Sequence, residues 1–304
     1  MSKEPCTDNR TSGMAVAALP DQNDGYFCYA IAAAAYIVVG TLLAVVQNAV
    51  TKGSVVWWIC LAATNIVIGL SAVIYCLIRR KKLWHFVRAD VAPNLVHTLC
   101  GCVFILGLVF FMAPVTNRIY DIMEQAGLSR PSVDLPMQLV PLLCTVTLLP
   151  AFSEELVFRG AVAGGLVDGY KSKVGAVLTS GALFSLFHAN PAQTLHQFVV
   201  GCFLALLLLR GGSLWACVIV HFVNNLAVVL GEFFLPAEVF TSWVACIAGG
   251  IVAAIALAVY LLFVRPTEQS IACNPVGPAA TKPTALACCL VAVGVFCMMW
   301  VGNL

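Results

Sequence analysis

Residues 148–165 read LLPAFSEELVFRGAVAGG, an apolar run whose only charges are Glu154, Glu155 and Arg159. A helix needs about 20 mostly apolar residues to cross the hydrocarbon core of a bilayer. Ionisable groups are expensive at that depth, so the few that a membrane helix keeps are candidates for function. Working outward, two more apolar stretches carry polar groups at helical spacing: Phe184-x-x-x-His188 and His221-x-x-x-Asn225. Each spacing places its pair on one helix face.

The rest of the chain fits a membrane protein. Of 304 residues, 61% are hydrophobic and 10% charged, against about 25% charged in a soluble domain. A net charge of +2 argues against a nucleic-acid partner. The first 26 residues are polar and lack the short apolar core of a secretory signal peptide. No C-a-a-X box ends the chain. The fourteen cysteines lie mostly inside apolar runs, with no C-x-x-C, and read as small hydrophobes between helices.

Nine windows have the length of a span: Phe27–Val50, Val55–Ile78, Asn94–Val115, Leu135–Val167, Val174–Ala189, Gln193–Leu209, Leu214–Leu230, Val239–Val264 and Ala285–Val301. The expected fold is an all-α polytopic bundle of eight or nine transmembrane helices with its site buried in the bilayer. Pro141 and Pro150 should kink the fourth segment or split it in two. The chain divides into a cytoplasmic tail (1–26), amino-terminal membrane helices (27–134), a core that holds the polar motifs (135–230) and carboxyl-terminal membrane helices (231–304). With the amino terminus in the cytoplasm, that side carries Lys3, Arg10, Arg79, Arg80, Lys81, Lys82, Arg88, Lys171, Lys173, Arg210, Arg265 and Lys282, and the other side only Lys52, Arg118 and Arg130. The positive-inside rule favours that orientation in a cell membrane.

A rise of about 1.5 Å per residue puts Glu154, His188 and Asn225 some 18–21 Å from the cytoplasmic ends of their spans. His221 lies about 6 Å shallower by the same rise. Three helices thus bring polar groups into one layer. Glu155 and Arg159, four apart, can pair on one face and support the site. Glu154 is then left to act as a general base on water beside a histidine. His221 and Asn225 offer two donors suited to a developing oxyanion. Asn224 faces elsewhere and should bond between helices, while His97 and His196, near span ends, stay outside the set.

Two other chemistries are weaker. Glu154, His188 and His221 could form a two-histidine, one-carboxylate zinc shell, but H-E-x-x-H is missing and Asn225 would be a poor ligand. No G-x-S-x-G elbow surrounds Ser153, which reads as a packing residue. Gly160, Gly164 and Gly165 form a face on which another backbone can approach closely.

Glu-Glu-x-x-x-Arg, then Phe-x-x-x-His, then His-x-x-x-Asn resembles the CPBP family of intramembrane glutamic endopeptidases. That family includes the CAAX prenyl proteases and bacterial proteins of bacteriocin processing and self-immunity. The resemblance spans about Leu135 to Leu230 and takes in Gln197-Phe198-x-x-Gly201 and Gly212-Ser213-Leu214. It implies that Glu154 and His188 activate water, that His221 and Asn225 stabilise the oxyanion, and that Glu155 and Arg159 hold the first motif in shape. It implies a metal-independent peptidase acting on a membrane-associated protein or peptide, with no cofactor. The rival readings are a non-catalytic scaffold for bacteriocin immunity or sensor-kinase regulation, and a proton-coupled transporter relaying through Glu154.

Overall fold

The computed structural model describes residues 19–128, 135–170, 172–271 and 280–303. Most of the expected cytoplasmic tail, Arg130, Lys171 and part of the loop before the last span lie outside the described residues. The chain is a helical bundle with no strand among those residues. Its long helices are α1 (Gln22–Ala49), α2 (Val55–Ile78), α4 (Leu95–Gln125), α5 (Leu139–Gly169), α7 (Thr194–Gly211), α8 (Leu214–Phe234), α10 (Trp243–Leu262) and α11 (Pro283–Gly302). Short helices α3 (Leu83–Phe86), α6 (Lys173–Phe187) and α9 (Ala237–Thr241) fall between them. All eight long helices are long and apolar enough to cross a membrane. Large side chains such as Val45, Val244 and Leu262 point outward on this bundle, as lipid-facing positions should when the solvent is hydrocarbon.

Local chemistry sets the helix starts. Asp21 caps α1 through a reciprocal pair with Asp24, Ser54 accepts from Trp57 N–H ahead of α2, and Asn94 accepts from Val96 and His97 N–H ahead of α4. Each cap answers backbone donors that have no partner within the helix. Gly212, at φ +76°, ends α7 in the left-handed conformation that lacks a steric penalty only for glycine.

The two prolines of α5 do not split it. The segment runs as one helical stretch of 31 residues, widened into π turns at Leu143–Leu148 and Leu156–Ala163. A π bond from the Thr145 carbonyl would need the N–H of residue 150, and Pro150 has none. Asn65 of α2 supplies the donor instead, its Nδ2 lying 3.3 Å from Thr145 O.

The window expected at Val174–Ala189 is different. Its helix, α6, has only 15 residues, about 22 Å at 1.5 Å per residue, too short to cross a core of about 30 Å by itself. It ends where the chain turns back into α7. A close crossing of Gly201 on Gly181 lets the two helices lie side by side.

The glycine face of α5 also meets partners that the sequence did not suggest. A side chain on Gly160 would strike Val87, just past α3, and one on Gly165 would strike the Asp21 carbonyl at the start of α1. The face therefore seats the mouth of α1 and the α3 turn. Asp24 lies buried there, with Tyr75 Oη donating to it at 2.6 Å and Lys81 paired to its other oxygen.

Candidate active site

Three chain segments deliver the predicted groups to one place. Glu154, Glu155 and Arg159 come from the middle of α5, His188 from the residue that closes α6, and His221 and Asn225 from α8. Glu154 Oε2 lies 3.9 Å from His188 Nε2 and 3.9 Å from His221 Nε2. Those separations exceed a direct hydrogen bond and fit one shared small molecule such as water. Among the described residues no protein group hydrogen-bonds to that oxygen, although it is buried.

Glu155 does more than pair with Arg159. Its Oε2 lies 3.0 Å from Arg159 Nε, the expected i,i+4 ion pair. Its Oε1 receives a bond from His221 Nδ1 at 2.8 Å. One carboxylate thus fixes both the arginine of its own helix and the imidazole of α8. Neither Glu155 nor Arg159 has any solvent exposure in its side chain. The Arg159 guanidinium lies 4.3 Å over the Phe184 ring, an arrangement that favours a desolvated cation. Phe184 also stands edge-on to His188 and His221, with centroids at 4.8 and 5.7 Å. The first residue of Phe-x-x-x-His is therefore the packing wedge between both imidazoles and the arginine.

His188 is held from its own helix, with Nδ1 2.9 Å from the Phe184 carbonyl. A carbonyl only accepts, so Nδ1 carries the proton and Nε2 presents a lone pair toward Glu154. His221 Nδ1 likewise carries a proton, which it donates to the Glu155 carboxylate. The turn after His188 is tightly fastened. Ala189 takes a positive φ of 46°, and its carbonyl accepts from Asn303 Nδ2 at 2.7 Å. Asn190 Oδ1 accepts from Ala192 N–H, and Asn190 Nδ2 donates to Tyr120 Oη. Ser185 Oγ donates to Thr194 O across the α6–α7 hairpin, and Trp300 Nε1 of α11 reaches Thr194 Oγ1. The position of His188 comes from this turn, at the end of the Val174–Ala189 window where the sequence reading placed it.

Asn225 is half-buried and lies one turn beyond His221 on α8. Its Nδ2 is 3.4 Å from the Thr147 carbonyl in the first π turn of α5. Asn224, as expected, bonds between helices: its Oδ1 meets His196 Nε2 of α7 at 3.3 Å. It also donates to Asn225 Oδ1 at 3.1 Å. His196, which the sequence left outside, therefore touches the site through Asn224. Only its helical register on α7, unknown before the fold, could have signalled this. His97 stays outside: its ring nitrogens meet Tyr260 Oη and the Arg265 carbonyl. A hollow of about 870 Å³ beside His97 is lined by none of the six predicted site residues.

Ser153 packs on Gly69 of α2, where an added methyl would lie 3.2 Å from it. Among the described residues no cluster of three or more His, Cys, Asp or Glu side chains is disposed to hold a metal. The described cysteines are free thiols.

Residues 136–227 match the family model described as Type II CAAX prenyl endopeptidase Rce1-like. This segment is similar to the Rce1-like endopeptidases. All six predicted site residues fall inside it, and α1, α2, α4, α10 and α11 lie outside. The match covers 92 of the 304 residues. A comparison with curated proteins finds no match. The Rce1-like segment supports peptidase activity in general, and the eight apolar helices make the chain a multi-pass membrane protein.

Proposed function

We propose that the protein is a metal-independent intramembrane endopeptidase in which Glu154 activates water. The observation that carries this reading is the convergence of Glu154 Oε2, His188 Nε2 and His221 Nε2, with the carboxylate oxygen 3.9 Å from each nitrogen. A water between Glu154 and His188 gives its proton to the carboxylate as its oxygen attacks the peptide carbonyl carbon. The tetrahedral oxyanion then accepts from Asn225 Nδ2 and from His221. On collapse the C–N bond breaks and Glu154 returns the proton to the leaving amine. The products are a carboxylic acid and an amine.

The proton count explains why Glu155 is shared. His221 can donate from Nε2 only when both ring nitrogens are protonated, because Nδ1 already serves Glu155. Glu154, Glu155 and Arg159 alone sum to −1, and one proton on His221 brings the cluster to neutrality. A buried cluster is favoured when its charges balance. Arg159 and Glu155 thereby set the charge of the site and the pose of the oxyanion donor.

Its substrate is a membrane-associated protein or peptide, and the family description favours one with a prenylated carboxyl-terminal box. The amino terminus is cytoplasmic in this proposal, on the twelve-to-three distribution of basic residues. Comparing membrane proteomes of cells carrying wild-type protein or Glu154→Ala tests the reading. A precursor accumulating only with the variant supports it, and identical proteomes oppose it. A chelator should leave the cleavage rate of the purified protein unchanged, and a rate restored only by added zinc would replace the water mechanism with a metal-assisted one.

A further inference from the structure

The proposed peptidase reading uses Asn225 as an oxyanion donor, and a carboxamide can fill that role only if its nitrogen faces the substrate. Nothing intrinsic to asparagine decides this, because the oxygen and nitrogen ends have nearly the same shape. We propose that His196 and Asn224 are positioning residues that fix the Asn225 carboxamide with its nitrogen toward the oxyanion, an inference that rests on the peptidase reading.

The argument starts at a group that cannot change role. The Thr147 carbonyl only accepts, so the Asn225 atom beside it at 3.4 Å must be Nδ2. Asn225 Oδ1 therefore faces Asn224, which must present Nδ2, as the 3.1 Å contact has it. Asn224 Oδ1 is then turned to α7, where His196 Nε2 lies at 3.3 Å and must donate. The chain runs His196, Asn224, Asn225, Thr147, and every link has one donor and one acceptor. Reversing any amide would set two like groups against each other. Asn224 is only 3% exposed, so a mismatched link could not be repaired by bulk water.

The π turn supplies the anchor. Thr147 belongs to Leu143–Leu148, and its carbonyl faces α8, where it accepts from Asn225 Nδ2 at 3.4 Å. With one Nδ2 hydrogen committed to Thr147 O, the second is left for a substrate oxyanion. Oxygen in that position would repel the developing charge, so a flipped amide converts stabilisation into an obstacle.

The test uses full-length protein in phospholipid vesicles and a quenched fluorescent peptide ending in a farnesylated C-a-a-X box. Asn224→Asp keeps the size of the side chain but cannot donate to Asn225 Oδ1. It should lower kcat about 10–100-fold, within the range for a misplaced oxyanion donor, with KM changing less than about threefold. The same substitution made in an Asn225→Ala background should cost nothing further, because the group it orients is gone. His196→Leu should lower kcat about tenfold, the size of a lost positioning bond, and His196→Gln, which keeps an N–H donor, should recover most of that loss. An unchanged kcat in Asn224→Asp and His196→Leu, or an equal loss with and without Asn225, overturns the proposal. If Asn224→Asp fails to fold, the His196 pair decides: no difference between Leu and Gln overturns it. Equal cleavage by wild type and Glu154→Gln would instead defeat the peptidase reading and take this inference with it.

Discussion

Two buried polar clusters of this protein differ in how completely their groups are answered. Around Asp24, Tyr75 Oη and Lys81 Nζ approach opposite oxygens, and Asp21 N–H donates to Oδ2 at 2.9 Å. The carboxylate is saturated and ties α1 to α2. Glu154 is buried somewhat less completely, and its Oε2 stands 3.9 Å from two imidazoles and takes no protein hydrogen bond among the described residues. A satisfied network holds helices together, whereas an incomplete one with its basic atoms converging can bind and activate something small. The neighbouring Glu155 is engaged on both sides, Oε1 accepting from His221 Nδ1 and Oε2 ion-paired with Arg159 Nε at 3.0 Å, and so aims the histidine.

That contrast can be broken or sharpened by substitution. Glu154→Gln should reduce kcat by about 10³-fold or more, as loss of a general base does, while the thermal midpoint stays within a few degrees of wild type. Asn225→Ala should follow with a loss of about 10²–10³, read as a fall in kcat with KM little altered. Asp24→Asn should do the reverse: a stability loss of about 1–3 kcal/mol, measured by denaturant unfolding in detergent, with kcat of the folded protein unchanged. A kcat loss in Asp24→Asn as large as that in Glu154→Gln would erase the distinction. Asn65→Ala, which strips the Thr145 carbonyl of its donor, should cost about 1 kcal/mol and lower the thermal midpoint slightly.

The membrane bundle was legible because hydrocarbon imposes long apolar runs, and the polar triplets stood out against them. Residue counting placed Glu154, His188 and Asn225 at one depth and His221 about 6 Å shallower, and the structure brings His188 and His221 equally close to Glu154, at 3.9 Å. The Glu155–Arg159 pair followed from i,i+4 spacing alone. What sequence could not show depends on contacts between helices. The bond from His221 to Glu155 and the chain through His196 and Asn224 arise from registers that no local spacing encodes. The behaviour of α5 was also hidden: proline forbids a backbone donor, but whether the helix breaks or widens depended on Asn65 standing ready in α2. His188 was expected along a full span, and a 15-residue helix with a fastened turn delivers it instead.

The most direct measurement compares kcat for the farnesylated C-a-a-X peptide between purified wild-type protein and Glu154→Gln, both checked for the same thermal midpoint. The account predicts measurable cleavage by wild type and a rate lower by about 10³-fold or more in the variant. Equal rates in two equally folded proteins would contradict it.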